Sequence, residues 1–366
     1  MKRSSVFLIL AAGVTLAAAV ALPAQEPPTG QFEERLEVNE VLLDVLVTDR
    51  EGNVIVGLGK DDFQVEEARQ PVEVQGVTFY SNRRLLQSAQ DPQRLGVDPA
   101  QVPEDRFFIL LFHDQRSANV DAPGLLAQQL EAGKQAKRWV REEMLGNDWV
   151  AVASYDAKLK VHHDLSHDRD ALSRAIDAAV SGRDPGGNWP SRVEAAEAVP
   201  SLLRGLPRGN ELRDRTTTIY DGLQVLAEAA GGVRGRKNLL LFTIGFGRLD
   251  RFGQYVPDPR YYAPTKEALN DNNVAVYAID LAPAGTEHAM ASAMNHIADE
   301  TGGRYYFNFT SFISPLRQLS TDNNGYYLLA YTSVNPAGQR GYREVSVKTR
   351  NPEFRVRARE GYRYGG

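Results

Sequence analysis

Cysteine is absent from all 366 residues. That excludes disulfides, thiol nucleophiles, thiolate metal sites and a lipid-bearing cysteine, so the folded chain is held by its core alone. A strong charge of either sign is also missing. The net charge of -5 offers no attraction to nucleic acid or to an anionic membrane surface. No internal repeat is visible, and no nucleophile-elbow pattern accompanies any serine. Hydrophobic residues make up 42% of the chain, enough for a substantial core and about two domains at ~150 residues each.

The N-terminus reads as a targeting segment. Lys2 and Arg3 precede the apolar run Val6–Leu22, and Pro23-Ala24 leads into the polar Gln25-Glu26-Pro27-Pro28. This is the layout of a secretory signal at residues 1–24, cleaved after Ala24, which predicts a periplasmic or extracellular protein with no membrane span once the signal is removed. Retention of the run as an anchor is the alternative, since its length lies near the lower limit for spanning.

Six apolar residues, Phe107 to Phe112, run without interruption and stop at His113-Asp114-Gln115-Arg116-Ser117. A short continuous apolar run is the mark of a strand buried on both faces, the centre of a parallel sheet. Ligands of open α/β sheets bind beyond the carboxyl ends of such strands, which puts Asp114 where a site would lie. Apolar residues then recur at helical spacing from Leu125 to Met144, followed by a strand Trp149–Tyr155, an edge strand Leu159–His163 and a helix capped by Ser166-His167-Asp168. Residues 182–215 are loop-like, with Arg192–Leu203 open to a helical reading. A helix Thr216–Ala230, a strand Asn238–Thr243, an insert to Tyr262, a helix near 264–272, a strand Val274–Asp280, a helix 287–301 and a strand Arg304–Phe307 complete the alternation. The pattern predicts a doubly wound, mostly parallel sheet over 106–322.

The flanks are pure β. Val41–Thr48, Val54–Gly57, Phe63–Val65 and Val72–Tyr80 alternate before a Pro-containing linker at 81–105, and Gly325–Thr332, Tyr342–Thr349 and Phe354–Arg359 alternate after the α/β part. Neither piece is large enough to be stable alone. The expectation is that 36–80 and 323–362 pair into one small sandwich-like domain.

With these elements in order, the chain resembles the von Willebrand factor type A (VWA) domain, and more closely an exported bacterial VWA-related family with flanking β segments. The resemblance is carried by Val47-Thr48-Asp49-Arg50-Glu51-Gly52 with Asp62-Phe63, the strand ending in Asp114, Asn147-Asp148-Trp149-Val150-Ala151-Val152, Thr218-Ile219-Tyr220-Asp221-Gly222-Leu223, Ile297 to Tyr306, and Gly325 to Tyr331. It implies a non-enzymatic module that binds protein partners through a metal-ion-dependent adhesion site. In that family a divalent cation takes about six oxygens, one of them the partner's. The family pattern puts Asp-x-Ser-x-Ser after the first strand, a Thr in the second loop and an Asp after the fourth strand. Asp114 and Thr218 match. Arg116 and Ala118 occupy the serine positions with Ser117 one residue out of step, and the final Asp falls at Ile244. The resemblance therefore implies a degenerate site, with Asp114, Ser117 and Thr218 as the candidate ligands of Mg²⁺ or another divalent cation, or else scaffold without metal.

His162, His163 and His167 beside Asp164 and Asp168 are a possible metal cluster, but an edge strand followed by a helix cap accounts for them. Gly245 and Gly247 follow a strand yet lack the third glycine of a dinucleotide fingerprint. Asp221 is expected to pair with a neighbouring Arg. Two loop-rich segments, 182–215 and 244–262, should emerge on the face carrying Asp114, and Arg and Tyr are the side chains enriched at interface hot spots. Arg116, Arg248, Arg251 and Tyr255 are the expected partner contacts. The competing expectation is a structural subunit of an envelope assembly acting through the sandwich edges by strand addition.

Overall fold

The computed structural model describes residues 36–81, 105–114, 122–185, 199–286, 288–336 and 339–365. The signal segment, most of the 81–105 linker, Arg116, Ser117, Ala118 and Arg192 lie outside the described residues. In chain order the strands are β1 (Leu36–Thr48), β2 (Phe63–Glu67), β3 (Gln70–Val72), β4 (Val74–Ser81), β5 (Arg106–His113), β6 (Asp148–Tyr155), β7 (Leu159–Ser166), β8 (Lys237–Thr243), β9 (Arg248–Leu249), β10 (Tyr255–Val256), β11 (Val274–Asp280), β12 (Arg304–Tyr306), β13 (Gly325–Pro336), β14 (Gly341–Thr349), β15 (Arg355–Arg357) and β16 (Gly361–Tyr364). The helices are α1 (Ala122–Glu142), α2 (Arg169–Val180), α3 (Asn210–Asp214), α4 (Ile219–Ala230), α5 (Pro259–Asp271), α6 (Ala291–Glu300) and α7 (Ile313–Asp322).

The six-stranded sheet has the order β12-β11-β8-β5-β6-β7. All neighbours are parallel except β6 and β7. β5 is central and every residue in it is buried, as its continuous apolar run requires. Odd-numbered β5 side chains face one layer, where Ile109 and Leu111 meet Leu223 and Leu226 of α4 and Leu269 of α5. Even-numbered ones face the other, where Phe108 and Phe112 meet Trp139 of α1, Ile176 of α2 and Leu316 of α7. Phe112 stacks on Phe242 of β8 at 4.6 Å between ring centroids. The order, the antiparallel edge strand and the helices on both faces make this the VWA-type α/β arrangement that the sequence resembles.

The terminal segments also meet. β1 pairs antiparallel with β13 and, near its end, with β15, giving a sheet β15-β1-β13-β4. β14 pairs with β2 and β16, giving a second sheet β16-β14-β2-β3. Leu43, Val45, Tyr327, Leu329, Val65 and Val345 fill one core between these strands, which is the sandwich-like part expected from the alternating flanks.

Several elements depart from the sequence reading. The expected strand Val54–Gly57 does not form, leaving only an isolated bridge from Val54 to Thr48, and α3, β9 and β10 arise in segments read as loop and insert. β1 starts five residues before Val41. α5 begins at Pro259 rather than near 264, because Pro259 fits the first helical position and Asp258 accepts from Arg260 N–H as its cap. α7 and β16 were not anticipated. α7 has Pro315 in its first turn and a Gln318-Leu319-Ser320 stretch whose periodicity is too short to stand out.

Candidate functional site

The carboxyl edge of the parallel sheet collects the ends of β5, β8 and β11 together with the start of α4, which runs antiparallel to the strands. Asp114 closes β5 there. It is 5% exposed, and its N–H donates to the Tyr155 carbonyl of β6 at 2.7 Å. Its neighbour His113 points to the other face, as alternation along a strand requires. Thr243 Oγ1 and His113 Nδ1 share a 2.9 Å hydrogen bond, and the ring meets Tyr155 edge-on. Burial pulls the His113 pKa down to about 4, with the Asp114 charge opposing. His113 and Asp114 therefore do not form a catalytic pair.

Thr218 is the N-cap of α4. Its hydroxyl accepts from Asp221 N–H at 3.1 Å and donates to Asp221 Oδ2 at 2.8 Å, while Asp221 Oδ2 also accepts from Thr218 N–H and from Thr217 Oγ1. This is a reciprocal capping box. The expected Asp221–Arg pair is not what forms: the carboxylate turns back onto its own helix terminus, where the exposed amides and helix dipole favour a negative charge. Gly222 lets α4 approach β6, since a Cβ there would fall 2.9 Å from the Tyr155 ring.

Beyond β8 the chain makes two glycine-dependent moves. Gly245 has φ +102 and Gly247 φ +118, conformations open to glycine. A Cβ on Gly247 would lie 2.5 Å from the Tyr255 ring and 2.9 Å from the Tyr220 hydroxyl, so these glycines serve close packing and not a phosphate. The insert then forms the hairpin β9–β10. Asp250 braces its turn: its side chain accepts from Phe252 N–H at 2.8 Å and Gln254 N–H at 2.9 Å, and its own N–H donates to the Gln254 carbonyl. At the tip Phe252 is 73% exposed with the Arg251 guanidinium 4.7 Å over its ring.

Of the expected partner contacts, Arg248 and Arg251 are exposed on this hairpin. Tyr255 is half-buried, its ring against Gly247 and near His296, and burial raises its pKa. It anchors the hairpin to the body. Phe252 is the side chain that the hairpin presents.

Asp280, which sequence reasoning did not single out, ends β11 at the same edge, in register with Thr243. It accepts from Tyr305 OH at 2.7 Å and from Ala282 N–H at 2.8 Å, and pairs with His288 Nε2 at 2.9 Å. The signal was available, because Val274–Asp280 ends in a carboxylate just as the central strand does. A second uncalled pair is Ser154 Oγ and His162 Nε2 at 2.8 Å. Burial, reinforced by Lys160, lowers His162 to about 4. Among the described residues no carboxylate orients the His162 Nδ1 side, so the pair lacks there the third member of a hydrolytic triad. The other members of the histidine-rich segment are engaged separately. His167 Nδ1 bonds the Asp148 carbonyl, Asp164 accepts from Ser201 and Leu202, and Asp168 caps α2.

A divalent cation of the family kind fits these donors poorly. Among the described residues no three His, Asp or Glu side chains are placed to hold a metal. The Thr218 hydroxyl is already committed twice to Asp221, Ile244 has no side-chain oxygen, and Asp280 is held by Tyr305 and His288. The melting temperature is therefore expected to be the same in millimolar Mg²⁺ and in chelator. Occupancy at about a hundred times Kd would add about 2.7 kcal/mol, and a shift of that size would contradict this reading.

No family model matches the chain, and no curated protein matches it. Solved structures similar to it include a von Willebrand factor type A protein from Catenulispora acidiphila, at 9% identity over 89% of this chain and 74% of that one, with a TM-score of 0.38. Another is BatB from Bacteroides thetaiotaomicron, at 11% identity over 59% and 97%, with a TM-score of 0.36. A third is proximal thread matrix protein 1 from the mussel byssus with a zinc-occupied MIDAS motif, at 16% identity over 59% and 47%, with a TM-score of 0.36. The chain thus spans about half the length of the mussel protein. At these TM-scores the likenesses carry no argument about residues, and the fold description rests on the strand order itself.

Proposed function

We propose that this chain is an exported, non-enzymatic protein-binding module that engages its partner at the carboxyl edge of the parallel sheet, around Asp114 and the β9–β10 hairpin. One observation carries the reading: a hairpin braced by Asp250 holds Phe252 and Arg251 out from the same edge at which the central strand ends. An exposed aromatic ring under a guanidinium, on a backbone fixed before binding, supplies apolar area and charge at low ordering cost. Arg248 lies on the same hairpin. Asp114, Thr218 and Ser117 stand as remnants of a metal-ion-dependent site used as scaffold. The basic hairpin predicts an acidic or carboxylate-rich partner surface.

Deleting residues 248–256 and, separately, replacing Asp114 with Ala is expected to abolish capture of the partner from the native envelope, with the melting temperature of the deletion within a few degrees of wild type. Capture that survives both changes would refute the reading. The alternative function, an envelope subunit acting through the sandwich edges, is favoured by one observation: Val345–Thr349 of β14 pair with β2 on one side and with no strand on the other among the described residues.

A further inference from the structure

β14 and the chain that follows it are paired only at the ends farthest from the turn that connects them at 350–354. Gly341–Glu344 is laced to Gly361–Tyr364, and Val345 N–H donates to the Glu360 carbonyl at 2.8 Å. There the two strands part. β14 continues along β2, while β15 crosses to the other sheet and pairs with the end of β1. No ladder joins β14 to β15 among the described residues. Alternate residues of an antiparallel strand send both backbone polar groups to the same side. The Glu344 carbonyl accepts from Ala68 N–H on the β2 side, and Val345 bonds Glu360 on the other. Val347 therefore directs its N–H and C=O away from β2, toward the gap.

The gap is a cleft of about 470 Å³ that Val345, Ser346, Val347 and the backbone of 356–360 help to line. The turn Asp299–Gly303 forms another wall, and Gly302, at φ +74, fits so closely that a Cβ would lie 2.6 Å from the Ala358 carbonyl carbon. The charges in the lining do not balance locally. Arg357 is held by Asp322 at 2.9 Å, and Arg359 donates to the carbonyls of Asn270 and Leu42, each at 2.9 Å. Glu66, Glu344, Glu360 and Asp299 remain against two cations of the lining, Arg69 and Arg359, the latter also near Asp44 and Asp271. Burial raises the Glu360 pKa; Glu300, Glu344 and Asp299 push the same way, and Lys266 opposes them. An unpaired strand edge beside an excess of carboxylates suits a cationic extended chain.

We propose that this cleft binds an extended lysine- or arginine-bearing segment of a partner protein, which pairs with the Val347 backbone groups and places its cations among Glu344, Glu360 and Asp299. The site is independent of the hairpin at the carboxyl edge, because the Asp299–Gly303 turn precedes β12 and so lies at the opposite edge of the parallel sheet. Either site can fail without the other.

The test uses the full chain and fluorescence anisotropy with three labelled hexapeptides: alternating lysine and valine, its glutamate twin, and the lysine peptide N-methylated at alternate backbone nitrogens. The lysine peptide is expected to bind saturably, with both twins weaker by about tenfold or more. The double variant Glu344→Gln/Glu360→Gln is expected to weaken the lysine peptide by about tenfold at an unchanged melting temperature. No saturable binding of the lysine peptide would overturn the proposal, as would equal affinity for the N-methylated twin or for the double variant. Should the double variant fail to fold, the N-methylated peptide decides the matter on the wild-type chain.

Discussion

Asp322→Ala is expected to lower stability by about 3–5 kcal/mol, read as a fall in the urea midpoint. Asp322 is fully buried at the end of α7. Its Oδ2 meets the guanidinium of Arg357 at 2.9 Å and that of Arg304 at 3.3 Å, and its Oδ1 accepts from Gln318 at 2.9 Å. One carboxylate thus joins α7 and β12 of the α/β part to β15 of the sandwich. Removing it strands a guanidinium on Arg357, whose side chain is 13% exposed and pairs with no other acid among the described residues. The cost follows from that uncompensated cation more than from the lost attraction. Asp322→Asn keeps an acceptor and the shape and is expected to cost less, and an alanine variant as stable as the asparagine variant would contradict the account.

Glu67→Ala is expected to cost about 3 kcal/mol, because it leaves several buried hydroxyls without an acceptor at once. Glu67 sits at the end of β2 and is 6% exposed. Tyr331 OH donates to it at 3.2 Å and Ser333 Oγ at 3.0 Å, Tyr362 OH donates to the same carboxylate, and Arg343 pairs with it at 3.4 Å. The donors come from β13, β14 and β16, so one acid from the N-terminal flank gathers three strands of the C-terminal flank. Glu67→Gln retains an oxygen and is expected to recover more than half of the loss. Equal melting of the wild type and the alanine variant would contradict this role of Glu67.

The α/β part was legible because its signals are long and periodic. A six-residue apolar run can hardly be other than a doubly buried strand, and Gly231-Gly232 and Gly302-Gly303 mark the ends of α4 and α6. The pairing of the flanks followed from stability: alternating strands too few to form a core must find one elsewhere. Less legible was anything that depends on what a polar side chain meets. Asp221 looked like a partner for arginine, but helix-terminal amides three residues away outcompete a flexible cation. That the Tyr255 ring packs against Gly247 is likewise set by a contact across the hairpin that the sequence does not show. Asp280 carries the same strand-end signal as Asp114, but one strand later than the family pattern's acid, which falls at Ile244. Nothing local marks Glu67 or Asp322 as buried: the hydroxyls that enclose Glu67 come from the other end of the chain, and the arginines that hold Asp322 come from β12 and β15.

The most direct test of the binding reading replaces Phe252 with a photo-crosslinking residue in the full chain and irradiates it in its native envelope. The control carries the same group at Leu130, an exposed apolar position on α1. A discrete protein adduct is predicted from position 252 and not from position 130, and it should disappear when Arg248→Ala and Arg251→Ala are added. Equal adducts from both positions, or an adduct at 252 indifferent to the loss of both arginines, would contradict the account.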